Sequence, residues 1–166
     1  SAGVISALKR RADMAHGSAR ADLLVEVATM ILNQGKSDDS HIQVLEQALQ
    51  AAPDHPAASK LLSENYLEMG AVEKAIPLLT LWAESVTVAG NSDEAVQSWL
   101  KVSELSESVQ LWERSIAACQ QVRALDVSVL EAWIREAESL TALGRNLEAS
   151  EVYRGVLDNQ SRKPSP

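Results

Sequence analysis

Residues 130–157 constrain the fold more than any other stretch of the chain. Trp133, Ala137, Leu140 and Leu143 recur at helical spacing and make one apolar stripe. Gly144 interrupts a run of helix formers and permits a tight turn. Leu147, Ala149, Val152, Tyr153 and Val156 then make a second stripe. Two helices joined by so short a turn must lie antiparallel, and Ala137 and Ala149 are small enough to let their backbones approach closely. One such hairpin cannot bury both of its faces, so the rest of the chain has to supply neighbours.

A second copy of the pattern follows Pro56: Leu62, Ser63, Tyr66, Gly70, Ala75, Ile76, Leu79 and Trp82. The step from Gly70 to Ala75 repeats the step from Gly144 to Ala149, and Pro53 falls where a preceding second helix should end. These residues resemble the tetratricopeptide repeat (TPR) family, whose unit is a helix–turn–helix of about 34 residues. Trp133, Ala137, Leu140, Gly144, Ala149, Tyr153 and Val156 fit the family's positions, as do Leu62, Ser63, Tyr66, Gly70, Ala75 and Leu79. The resemblance implies an all-α protein, a right-handed α-solenoid of antiparallel helix pairs with about nine helices in all.

Laid along the chain, this pattern predicts an N-terminal helix in residues 1–21, a cap or the second helix of a preceding unit. Repeats are expected at 22–55, 56–89, 96–129 and 130–163, with an insertion at 90–95 and a polar tail at 164–166. In the first repeat Ser37, Asp38 or Asp39 can cap the second helix. His41 stands there where a small residue is expected, which argues against close packing. Pro77 lies inside the second helix of repeat two and predicts a kink or an early stop near residues 73–76. Repeat three has no Gly at its turn, expected near residues 105–108. A competing phase uses Gly90 and Ala95 as the turn step, with Trp99 as the large residue, and gives the same helices.

The composition, 46% apolar with no Phe, supplies an ample core. Net charge is −8, but it is divided unevenly. Residues 1–21 carry Lys9, Arg10, Arg11 and Arg20 against Asp13, while residues 22–166 hold 11 bases and 22 acids. An acidic body repels phosphate backbones, which excludes nucleic acid as the natural partner. The single Cys119 rules out an internal disulfide and favours a reducing, cytoplasmic setting, with a periplasmic or membrane-tethered one as the alternative if an upstream segment is missing. No apolar run reaches the length of a membrane span, so no membrane insertion is expected of this segment. The absent initial Met and polar end read as a piece of something longer, an accessory domain of a larger enzyme or membrane-anchored complex.

Catalytic patterns are missing. His16, His41 and His55 fall on separate predicted elements, and there is no GxGxxG, Walker loop or GxSxG. Cys119 occupies a core position and reads as a buried small apolar residue. No enzyme activity, cofactor or metal is expected. Function then falls to the groove that the family resemblance implies on the first helices. Carried over residue by residue, the concave face is lined by Leu23, Glu26, Val27 and Met30; by Lys60, Glu64 and Leu67; by Leu100, Lys101 and Glu104; and by Ile134, Arg135 and Glu138. Lys60/Glu64, Lys101/Glu104 and Arg135/Glu138 set a base before an acid on three successive first helices. They read as ordinary intrahelical pairs or as a charged ladder that orients a partner segment. Glu64, Glu104 and Glu138 stand where family members that clamp the acidic tails of heat-shock chaperones carry Asn, which disfavours that ligand. The expected partner is a protein or peptide; self-association through the array ends is the second reading.

Overall fold

Apolar residues spaced three and four apart wind this chain into helices throughout. The computed structural model describes residues 1–35 and 38–161, and every regular element among them is an α-helix. In chain order they are α1 (Ala2–Met14), α2 (Gly17–Asn33), α3 (Ser40–Ala51), α4 (Pro56–Glu68), α5 (Val72–Val88), α6 (Ser92–Ser108), α7 (Trp112–Leu125), α8 (Leu130–Ala142) and α9 (Asn146–Ser161). The all-α architecture expected from the sequence is the one observed. The chain divides into two compact units, Ser1–Trp82 and Ala83–Pro166.

In the first unit α2 packs against α1 and α3, and α3 packs against α4. One apolar cluster joins them, with Leu8 from α1, Leu24 and Val27 from α2, Ile42 and Leu45 from α3, and Leu62 from α4. Ala12, Ala21, Ala28, Ala48 and Ala58 are fully buried in the same cluster, so small residues set the helix separations. His41 is buried too. Its Nε2 lies 2.9 Å from Asn65 Oδ1, and Asn65 Nδ2 donates to the Leu61 carbonyl at 2.8 Å. A buried polar pair therefore fills the place where loose packing was expected. Asp39 stands at the N-cap of α3 without a side-chain bond, and Asp38 accepts from the Ser40 hydroxyl at 2.9 Å. Ser37 and the tail at 164–166 lie outside the described residues.

In the second unit Ile116, Ala137, Leu140, Ala149 and Val152 form one cluster, with Trp133 packed against it. Ala137 and Ala149 are thus the small-residue seam between α8 and α9. Trp99 is buried as well, and its indole N–H donates to Thr87 Oγ1 at 2.9 Å. The expected stripes were too wide, however: Leu147 is 85% exposed, and Leu143 and Tyr153 also reach the surface. Leu143 is the C-cap of α8 and Leu147 lies in the first turn of α9, so both stand at the helix ends beside the turn.

The turns share one geometry. Gly70, Gly90 and Gly144 have φ of 75°, 80° and 75°. The following amide then reaches back into the helix, Ala71 to the Tyr66 carbonyl at 2.8 Å, Asn91 to Val86 at 3.2 Å and Arg145 to Leu140 at 2.9 Å. This is the Schellman closure, which needs a left-handed residue just past the helix. The third repeat makes the same closure without Gly: Gln110 adopts φ 61°, and Leu111 N–H reaches the Ser106 carbonyl at 2.8 Å. Its turn therefore lies at residues 109–111, later than expected, and α6 is longer. Pro77 does not stop α5, which continues from Val72 to Val88. Being near the start, Pro77 deprives only the Glu73 carbonyl of its partner, and Glu73 is exposed to water.

Candidate functional site

The first helices present the side chains expected of them with mixed exposure. Leu23 and Met30 on α2, Lys60 and Leu67 on α4, Leu100 on α6 and Arg135 on α8 are half-buried. Glu26, Glu64, Lys101, Glu104, Ile134 and Glu138 are exposed. Val27 is fully buried and belongs to the core of the first unit, so it cannot line a groove. The charge pattern is also less regular than the sequence suggested. Lys101 Nζ stands 3.8 Å from Glu104 Oε2, in an exposed pair that contributes little. Arg135 turns instead to two other carboxylates, Glu131 on its own helix at 2.9 Å and Glu107 of α6 at 2.6 Å. It is a brace between two helices. Lys60 Nζ lies 4.6 Å from the centroid of the Trp82 ring.

Behind that brace runs a buried hydroxyl seam. Ser115 Oγ lies 2.8 Å from Ser103 Oγ, takes a bond from Ser139 Oγ at 3.1 Å and donates to Glu107 Oε1 at 3.2 Å. Cys119 Sγ stands 3.2 Å from Ser103 Oγ and is fully buried. Burial pushes its thiol up to about 11, so it is neutral at physiological pH and packs as the sequence implied. His55 takes a capping role: its Nδ1 accepts the Ala58 N–H at 3.2 Å at the start of α4, and its Nε2 lies 2.6 Å from Asp22 Oδ1. Among the described residues no three His, Cys, Asp or Glu side chains converge where a metal could sit, and no helix is long and apolar enough to cross a membrane.

Sequence reasoning missed a cleft of about 290 Å³ in the second unit, between α7, α8 and α9. Its floor is Glu136, only 3% exposed. Arg123 Nη1 lies 2.5 Å from Glu136 Oε2, and Gln120 Nε2 donates to the other oxygen at 3.3 Å. The Arg123 guanidinium stacks 3.6 Å from the centroid of Trp133, whose indole N–H donates to the Val127 carbonyl at 2.9 Å. Leu140 and Val152 complete the walls, with Glu148 and Glu151 at the rim. Arg145 holds Glu148 at 2.5 Å. Glu151 has no ion pair among the described residues. Gly155 of α9 abuts Trp133, and a Cβ there would meet the ring at 2.3 Å. Only a glycine lets α9 lie so close.

The first unit contains the same cleft. It is about 410 Å³, lies between α3, α4 and α5, and each of its lining residues has a counterpart 74 positions later in the second unit. The chemistry is inverted. Leu49 and Leu62 stand where the second unit has Arg123 and Glu136, and Lys74 and Pro77 stand where it has Glu148 and Glu151. Tyr66 replaces Leu140, its hydroxyl donates to Glu46 at 2.8 Å, and burial together with Glu46 pushes it up to about 12. The 74-residue offset is visible in the sequence as the distance from Gly70 to Gly144. Comparing the two repeats at that offset would have exposed the Leu-to-Glu exchange.

Helix pairs closed by left-handed turns and packed through alanine seams define an α-helical repeat protein. Residues 34–87 match the tetratricopeptide repeat family, in agreement with the resemblance read from the motif that follows Pro56. No curated protein sequence matches the chain. Among solved structures it is similar to MamA AMB-1, at 18% identity and a TM-score of 0.59 over 96% of this chain and 89% of that one. It is similar also to MamA MSR-1, at 16% identity and 0.53 over 97% and 90%. MamA from Desulfovibrio magneticus RS-1 gives 18% identity and 0.50 over 87% and 78%. Identities this low establish the fold alone.

Proposed function

We propose that the chain is a non-catalytic interaction scaffold that holds a partner polypeptide against its first helices. The observation that carries this reading is the exposure pattern. Each first helix buries one stripe and leaves outward a mixture of charge and partly covered apolar side chains: Leu23, Glu26 and Met30; Lys60, Glu64 and Leu67; Leu100, Lys101 and Glu104; Ile134 and Glu138. Ile134 is a large aliphatic left 40% exposed on such a face, a natural anchor for a partner. Arg135 is excluded as a primary contact because Glu107 and Glu131 already engage it.

The test is capture of partners on the immobilised chain, identified by mass spectrometry, with Lys101→Glu plus Ile134→Asp as the paired variant. Both positions are exposed, so helicity should be unchanged while capture is lost. Capture that survives the double variant assigns the partner to another surface. A second reading, self-association through α9, rests on Leu147 and Leu157, which are 85% and 66% exposed. Light scattering that reports a monomer at high concentration removes it.

A further inference from the structure

We infer that the cleft between α3, α4 and α5 in the first unit is a docking site for an acidic–aliphatic segment of a partner polypeptide, one that sets a leucine side chain beside a carboxylate. The site uses other side chains than the first-helix surface and does not depend on it. Its walls are open to a ligand: Leu49, Tyr66 and Leu78 are half-buried and Pro77 is exposed, above a floor of Leu62. About 410 Å³ of space lies between them, room for an aliphatic side chain whose burial removes apolar surface from water on both partners. The choice of charge follows from the mouth. Glu46 is engaged by the Tyr66 hydroxyl at 2.8 Å. Lys74 Nζ stands 5.7 Å from the centroid of the same ring and has no ion pair among the described residues. In a chain of 23 acids and 15 bases, a base left beside an apolar cleft without an acid is complementary to a carboxylate that the ligand brings. Gln50, at the same mouth, makes no hydrogen bond among the described residues, and its amide offers a donor and an acceptor to the backbone of the segment.

The second unit shows the same cleft with its base satisfied from within. Arg123 stands there in the place of Leu49, stacks 3.6 Å from the Trp133 centroid and pairs with Glu136, and the space falls to about 290 Å³. Its rim carries Glu148 and Glu151 where the first unit has Lys74 and Pro77, so an acidic segment is repelled from the one cleft and attracted to the other. Leu49 and Leu62 keep the first-unit cleft apolar to its floor and leave its one base at the rim, placed to pair outward.

The experiment is a nuclear magnetic resonance titration of the full chain with four tetrapeptides blocked at both ends: Gly-Leu-Glu-Gly, Gly-Leu-Gln-Gly, Gly-Leu-Lys-Gly and Gly-Gly-Glu-Gly. The first should shift the methyl groups of Leu49, Leu62 and Leu78 and the Tyr66 ring saturably. The glutamine peptide should bind about two- to fivefold more weakly, the size of an exposed ion pair, and the lysine peptide more weakly again. The peptide without leucine should not bind. Lys74→Glu, at an exposed position, should keep the helical spectrum and reverse the order, so that the lysine peptide binds best. Lys101→Glu with Ile134→Asp should leave all these shifts intact, whereas their loss there would assign the peptide to the first-helix surface and overturn the proposal. No shift at about 10 mM peptide, equal binding of the three leucine peptides, equal shifts without leucine, or an order unchanged in Lys74→Glu would each overturn it as well.

Discussion

Replacing Arg123 and Glu136 with leucine asks whether their ion pair holds the second unit together. The first unit already uses leucine at both corresponding positions, Leu49 and Leu62. Glu136 is 3% exposed, and its compensation comes from Arg123 at 2.5 Å and Gln120 at 3.3 Å. Arg123→Leu alone strands a buried carboxylate, which costs about 3–5 kcal/mol. It also removes the stack on Trp133, another 0.5–2 kcal/mol or so. The double replacement removes the stranded charge together with Arg123 Nε, a buried donor that has no partner. Exchange of a buried pair for well-packed apolar residues is often neutral or stabilising by roughly 1–4 kcal/mol. Set against the lost stack, the double variant should lie within about 1 kcal/mol of the parent or above it.

Urea denaturation of the parent, both single variants and the double, followed by circular dichroism and tryptophan fluorescence, closes the cycle. The coupling energy should be at least about 3 kcal/mol, with most of the loss in Arg123→Leu recovered when Glu136→Leu is added. A double variant as damaged as Arg123→Leu would refute the reasoning. Polar contacts in the cleft would then be structural, and the comparison with the first unit would carry no weight.

The fold was legible because its signals are local. Gly70 and Gly144 mark left-handed closures, and Ala137 and Ala149 mark the seam; each is readable from residue type and spacing. What failed were the places where chemistry substitutes for residue type. Gln110 takes the left-handed position that Gly takes elsewhere, so the turn of repeat three was placed too early. His41 was expected to disturb packing, but Asn65 satisfies it from 24 positions away, a pairing no periodicity reveals. One rung of the charged ladder was misread for the same reason: Arg135 reaches Glu107 on another helix, while spacing along one helix pointed to Glu138. The Arg123–Glu136 cleft was invisible because a Glu inside a helical pattern reads as solvated until tertiary contacts bury it.

Three further perturbations probe these local arguments. Gln110→Gly should raise stability by about 0.5–1 kcal/mol, since a side chain at φ 61° carries a strain that Gly lacks, partly offset by the entropy of the unfolded Gly; an unchanged or lower urea midpoint contradicts it. Gly155→Ala should destabilise by about 1–3 kcal/mol because the new Cβ would stand 2.3 Å from the Trp133 ring, and Trp133→Leu should relieve most of that loss. A Gly155→Ala chain that melts like the parent places α9 further from the indole than described. Cys119 ties stability to alkaline pH. Its thiol is held at about 11 by burial, against 9.0 when free, so between these values the unfolded chain releases the proton first. Unfolding stability should be full below pH 9, fall as pH rises, and level off near 11, with a total on the order of 2 kcal/mol. Cys119→Ala should flatten that part of the curve relative to the parent. If the alkaline loss is identical in the two chains, the thiol is not buried in the way that its bond to Ser103 and its place between α6, α7 and α8 require.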